Sequence, residues 1–208
     1  MSTQAERSYR WLFWCLALVG FTVDQASKYG VFVWLYNGGH PNARAVIPGA
    51  FWLDVQYTAE RDPGEGLLGT LRTVGDHELP KVNKGALWGL GAGMNTFFAV
   101  ISLGAAVAIV LWSCRPRAAR EGFLCVSLGL ILAGTLGNFY DRIVFGGVRD
   151  FLHWNYLFDF PVFNFADCCL VIGAGLLLLQ AFYGQPDAEP RPVPQSDAAT
   201  EHVAEMSQ

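Results

Sequence analysis

Charge is scarce in this chain: Asp, Glu, Lys and Arg supply 15% of the 208 residues, the formal net charge is −4, and lysine and arginine form no run. Nothing in that balance attracts a polyphosphate, which excludes nucleic acid as a partner. Histidine is sparse as well. His40, His77, His153 and His202 form neither HExxH nor another compact ligand pattern, so a zinc protease is excluded and no metal or other cofactor is expected. Cys15, Cys114, Cys125, Cys168 and Cys169 lie in or beside apolar runs without CxxC spacing, and read as small buried hydrophobes, not as ligands or disulfide partners. There is no GxSxG, and no cysteine set among polar partners. The glycine-rich GLGAGMN at 89–95 lacks the βαβ context of a dinucleotide loop and reads as close helix packing or a surface turn.

What the chain has in quantity is apolar surface. Hydrophobic residues make up 52% of it, and the positive mean hydropathy suits a bilayer better than water. Four windows, about 11–35, 94–113, 122–139 and 162–183, approach the roughly 20 residues that a helix needs to cross the hydrocarbon core. The expectation is an α-helical integral membrane protein with four transmembrane helices in one domain, residues 1–183. Arg7 and Arg10 precede the first window, and Arg115, Arg117 and Arg120 fill the link between the second and third. The positive-inside rule therefore puts both termini in the cytoplasm. A cleaved signal peptide at the N-terminus is disfavoured, because apolar character resumes after Lys28 in YGVFVWLY and no clean small-x-small site follows. Bulky Phe13 and Trp14 likewise argue against a lipoprotein site at Cys15.

Between the first two windows, in the region 36–93, FWLDVQYT alternates Phe51, Leu53, Val55 and Tyr57 with Trp52, Asp54, Gln56 and Thr58, which predicts a small extracytoplasmic β element on the membrane surface. From residue 184 to 208 the chain is polar and rich in proline, the composition of a disordered cytoplasmic tail.

The polar residues of the apolar windows converge in depth. Asp24 and Lys28 fall in the outer half of the first helix, Asn95 starts the second, Asn138 ends the third, and Asn164 and Asp167 open the fourth. An ionisable group at mid-membrane costs about 2.5–3.5 kcal/mol, so several at one depth imply a shared polar cavity. Asp24 and Lys28, four residues apart, read first as a structural ion pair, and Asn138 and Asn164 read equally well as interhelical glue or as support for chemistry. Asp141 and Arg142, placed just beyond the third helix, read as a solvated interfacial pair. Asp150 and Asp167 have no cation one turn away. A carboxylate at a helix N-terminus beside a second carboxylate titrates in separated steps, giving one acid and one base, the chemistry of an aspartic protease.

These residues carry a resemblance to lipoprotein signal peptidase (signal peptidase II), a bacterial aspartic endopeptidase family. DQASK at 24–28, NKGALWG at 83–89, GNFYDR at 137–142, VRDF at 148–151 and FNFAD at 163–167 resemble the family's motifs in order. The resemblance implies Asp150 and Asp167 as the catalytic pair, with Asn138, Arg142 and Asn164 supporting it and Asp141 in a structural role. It also implies that Asp24 and Lys28 hold the site together or touch lipid, and that Asn83 and Gly85 form a substrate loop. The implied partners are membrane lipid and prolipoproteins carrying diacylglyceryl on the cysteine after the scissile bond, cut at the outer face of the bacterial cytoplasmic (inner) membrane; a monomer is the expectation, without a residue that decides it. The stretch 59–82 is longer than the family's usual connection there, and is expected to gate access. A small proton-coupled transporter is the alternative reading of intramembrane Asp, Lys and Arg, disfavoured by the lack of an inverted repeat. A noncatalytic assembly factor is a third.

Overall fold

The computed structural model describes residues 8–58, 64–75, 78–85 and 93–183. The tail from residue 184, read as disordered, lies outside them. Among the described residues four long helices carry the fold: α1 (Arg10–Trp34), α3 (Asn95–Ser113), α5 (Gly122–Val144) and α6 (Phe165–Tyr183). Two short ones join them, α2 (Gly66–Arg72) within the long connection and α4 (Pro116–Arg120) in the basic link. Among the described residues α3, α5 and α6 are long and apolar enough to cross a membrane by length and composition. In α1 the same apolar character is interrupted by Asp24, Gln25 and Lys28, all buried.

The most interior of these helices is α5, packed against α1, α3 and α6. Along α3 and α6 the outward faces remain apolar and open, with Val100, Leu103, Val107, Val171 and Leu178 at least half exposed, a distribution that lipid tolerates and water does not. Small residues set the approach of the helices. A Cβ at Gly134 would run into the Ala166 carbonyl of α6, and one at Gly137 into the Asp24 carboxylate of α1, so glycine at these two positions admits the neighbouring elements. At the basic end Tyr9 N–H donates to the Ala119 carbonyl at 2.7 Å and Arg10 Nη2 to that of Cys114 at 2.6 Å, tying the start of α1 to the α3–α4 link. Cys125 and Cys169 are buried as expected, whereas Cys15 and Cys114 are exposed on the apolar surface and Cys168 is half-buried.

At the opposite end sits an antiparallel sheet in the order β1 (Asn42–Ile47), β2 (Phe51–Val55) and β5 (Leu152–Trp154), plus a ribbon of β3 (Tyr57–Thr58) with β4 (Leu79–Pro80). The alternating FWLDVQYT becomes β2 and β3. A second core under the sheet gathers Phe32 of α1 and Leu35 just after it with Val55, Tyr57, Val74 and Phe151, and the Tyr57 hydroxyl donates to the Phe32 carbonyl at 2.6 Å.

One expectation is corrected here. Asp141 and Arg142 do not lie beyond a helix ending at 139, because α5 continues to Val144. Nor are they a solvated pair: Asp141 is 0% exposed and faces Lys28 and Arg149, while Arg142 points to the cleft described below. A fully buried carboxylate needs compensating cations and donors, and α1 and the 149 backbone supply them.

Candidate active site

Asp150 lies between α5 and β5 on a stretch pinned from both sides. Val148 exchanges backbone hydrogen bonds with Asn83 at 2.7 and 2.8 Å, Phe151 and Leu152 bond Phe163, and Asp54 N–H of β2 donates to the Phe151 carbonyl at 2.9 Å. Gly147 makes the first of these pairings possible, since a Cβ there would press on the Asn83 carbonyl and Val82. Asp167 occupies the first turn of α6. Its carboxylate accepts from Asn164 N–H at 3.1 Å while Asn164 Oδ1 accepts from Asp167 N–H at 3.2 Å, a reciprocal capping box that fixes the side chain at the helix start.

Asn164 also links the two acids, donating through Nδ2 to Asp150 Oδ1 at 2.7 Å. The second oxygen of Asp150 accepts from Asn83 Nδ2 at 3.1 Å, and Asp167 Oδ1 accepts from Asn138 Nδ2 at 2.8 Å. Each carboxylate thus has both oxygens held by N–H donors. Burial, then the charge of Asp167, pushes the Asp150 pKa up to about 7, against the opposing hydrogen bonds from Asn164 and Asn83.

Behind the pair lies a buried network whose formal charges cancel. Lys28 Nζ donates to Asp24 at 2.9 Å and to the Asn138 amide oxygen at 3.3 Å, and pairs with the Asp141 carboxylate at 3.3 Å. By holding that oxygen, Lys28 turns the Asn138 amide so that its NH2 faces Asp167. Asp24 in turn accepts from the Ala166 N–H at 2.9 Å, anchoring the N-terminus of α6. The expected ion pair of Asp24 and Lys28 is present, and it belongs to a larger set.

Two members of that set were not singled out from the sequence. Arg149 is 1% exposed, bonds Asp141 through its backbone N–H at 2.9 Å and Nη2 at 2.8 Å, donates to Gln25 Oε1 at 2.8 Å, and lies over the rings of Tyr29 and Phe145 at 4.1 and 3.9 Å. Gln25 bridges Asp24, Asp141 and the Gly137 carbonyl. The signal available in the sequence is an arginine immediately before Asp150, in VRDF; its burial is visible only in the fold.

Asp150, Asp167, Asn138, Arg142, Asn83 and Gly85 all line one cleft of about 730 Å³, whose apolar walls come from Ile101 and Ala105 of α3, Leu170, Val171 and Ile172 of α6, and the 160–163 segment. Arg142 donates to the Asn138 carbonyl at 3.2 Å and lies over Phe98, and Asn95 Nδ2 donates to the Arg142 carbonyl at 3.1 Å. Two carboxylates at the head of an apolar groove open toward lipid can polarise a water against a bond in an apolar-tailed substrate. Among the described residues no group of three His, Cys, Asp or Glu side chains could hold a metal.

The Peptidase_A8 family model, described as signal peptidase (SPase) II, matches residues 79–183, half of the chain. A lipoprotein signal peptidase of Rhodopirellula baltica is 35% identical over 184 residues, covering 82% of this chain and 71% of that protein. The chain belongs to the signal peptidase II family. It is accordingly an aspartic endopeptidase built as a multi-pass membrane protein, which displaces the transporter reading. A lipoprotein signal peptidase of Pseudoalteromonas translucida is 43% identical over 100 residues, 48% of this chain and 60% of that one. A solved bacterial membrane enzyme superposes with a TM-score of 0.67 at 27% identity, covering 89% of this chain and 98% of its own.

Proposed function

We propose that Asp150 and Asp167 are the catalytic pair with which this signal peptidase II cleaves diacylglyceryl-modified prolipoproteins just before the lipidated cysteine. The observation that carries this reading is that one residue, Asn164, holds both carboxylates at the mouth of an apolar groove. Acyl chains would lie between α3 and α6, and the scissile bond would then rest at the acids.

In this mechanism the proton shared by the pair starts on Asp150. Asp167 takes a proton from water as the water oxygen adds to the carbonyl carbon, while Asp150 donates a hydrogen bond to the carbonyl oxygen. As the tetrahedral intermediate collapses, the C–N bond breaks and Asp167 passes the proton it took from water to the leaving nitrogen, giving a signal peptide carboxyl group, which ionises, and a free amino group on the cysteine, with the other proton still on Asp150. Arg142, on the cleft wall, offers positive charge where negative charge develops. Asn138, Asn164 and Asn83 orient the carboxylates, Lys28 and Asp24 orient Asn138 and α6, Asp141 holds Arg149, and Gly85 leaves room on the substrate side.

The enzyme would work as a monomer in the bacterial cytoplasmic membrane, since one chain supplies every group of the site. The basic end that joins Arg10 to the 115–120 link favours the cytoplasm, which puts both termini there and the acids near the outer face.

Purified protein incubated with a diacylglyceryl-modified precursor and with its unlipidated counterpart is expected to cleave only the first, and equal cleavage of both would overturn the substrate assignment. The proton inventory gives a second expected result. Because Asp150 is protonated below about 7 and begins as the acid, kcat/KM should fall about tenfold per pH unit above that value. A rate that instead rises through pH 7 would make Asp150 the starting base.

A further inference from the structure

The extended stretch at 81–85 separates two cavities. Asn83 and Gly85 line the catalytic cleft, and the alternate residues Val82 and Lys84 line a second cavity of about 520 Å³. Three cations meet in this second space, Lys81, Lys84 and Arg72 of α2, and among its described lining residues there is no acid. In a chain of net charge −4 this is a local concentration of one sign, formed where α2 and the 79–84 stretch meet the end of α5.

Internal partners account for only part of it. Arg72 Nε donates to the Val144 carbonyl, capping the last turn of α5 and leaving its two terminal nitrogens. Lys81 Nζ donates to Gln56 Oε1 at 2.8 Å and remains exposed. Lys84 makes no hydrogen bond or ion pair with any described residue. The rest of the lining includes Leu79, Ile143 and Phe145. Ile143, on the final turn of a membrane-crossing helix, is 58% exposed, so the cavity opens where hydrocarbon gives way to headgroups.

We infer that this cavity binds the phosphate of an anionic phospholipid headgroup, with Lys84, Lys81 and Arg72 around the phosphate and Ile143 against the first acyl carbons. A free phosphate would match the cations equally well, but it would make no use of an apolar edge facing lipid. The assignment goes beyond the proteolytic reading and does not need it, since no hydrogen bond or ion pair joins any of the three cations to Asp150 or Asp167.

Native mass spectrometry of the full chain from micelles doped equally with phosphatidylglycerol and phosphatidylcholine tests it. Each cation beside an anionic headgroup contributes about fivefold in binding. The wild type is expected to retain phosphatidylglycerol preferentially, and Lys81→Gln/Lys84→Gln to lower that preference by about 25-fold. Lys84→Arg should keep it, which separates loss of charge from loss of fold. Equal retention of both lipids by the wild type, or an unchanged preference in the double variant, overturns the inference. So does binding of inorganic phosphate without lipid preference, which would assign the cavity to a soluble anion, or charge discrimination seen only toward an acidic peptide.

Discussion

Asp167→Asn protein is expected to fold, to bind a lipidated precursor, and to lose turnover by roughly 10²–10⁴-fold, the contribution of a positioned acid or base. The wild-type carboxylate accepts from both Asn138 Nδ2 and Asn164 N–H. Asparagine has a single acceptor oxygen, so one of those bonds is lost at a cost of about 0.5–1.5 kcal/mol, small beside the stability of a folded domain. Asp150→Asn makes the same trade, because that side chain accepts from Asn164 Nδ2 and Asn83 Nδ2. It loses a comparable factor, since an amide cannot serve as the protonated acid that polarises the substrate carbonyl. Single-turnover cleavage in detergent, with thermal unfolding of the same samples, separates chemistry from folding. Either variant retaining a tenth of wild-type turnover would remove the pair from the mechanism, and a large drop in unfolding temperature with unchanged rate in the folded fraction would make it structural only.

The parts of this site legible in the sequence are those whose cost in lipid is high and local. Asp24 and Lys28 stand out because two charges in an apolar helix demand each other, and the i, i+4 spacing identifies the partner. Asp167 stands out because a helix start is recognisable from the polar FNFAD before an apolar run. Asn83 is different: its contact with Asp150 crosses 67 positions and depends on the Asn83–Val148 bridge, a long-range pairing that no local period encodes. The strand at 152–154 is three residues long, too short for an alternation to register. The misplacement of Asp141 beyond the third helix has the same origin. A polar NFYDR closing an apolar run resembles a membrane boundary, and only the packing of α1 against Gly137, and of the 149 backbone against Asp141, keeps the last turn dry.

The buried arginine turns that last point into a second large expected effect. Arg149→Met is expected to destabilise the fold by about 3–5 kcal/mol, the cost of breaking a buried ion pair from one side. Asp141 would keep Lys28 at 3.3 Å but lose both the guanidinium fork and the charge that balances Asp24 and Asp141 against Lys28. Methionine fills the volume between Tyr29 and Phe145, so packing loss contributes little. Arg149→Lys restores the charge without the fork and should recover only part of the loss. Asp141→Asn in the Arg149→Met background should cost less than the sum of the two single changes, because the amide no longer needs the missing cation. Function follows from geometry: Asp150 is the next residue, its backbone fixed on one side by this clamp. A shift of about 1 Å there is enough to lower kcat about 10²-fold with little change in KM, because the apolar walls of the cleft are built by other elements. Unfolding temperatures of the four proteins, with kcat and KM measured where each is folded, decide the matter. An Arg149→Met protein as stable and as fast as wild type would mean that Lys28 alone satisfies Asp141, and that the Asp150 segment is held by its bridges to Asn83 and Phe163.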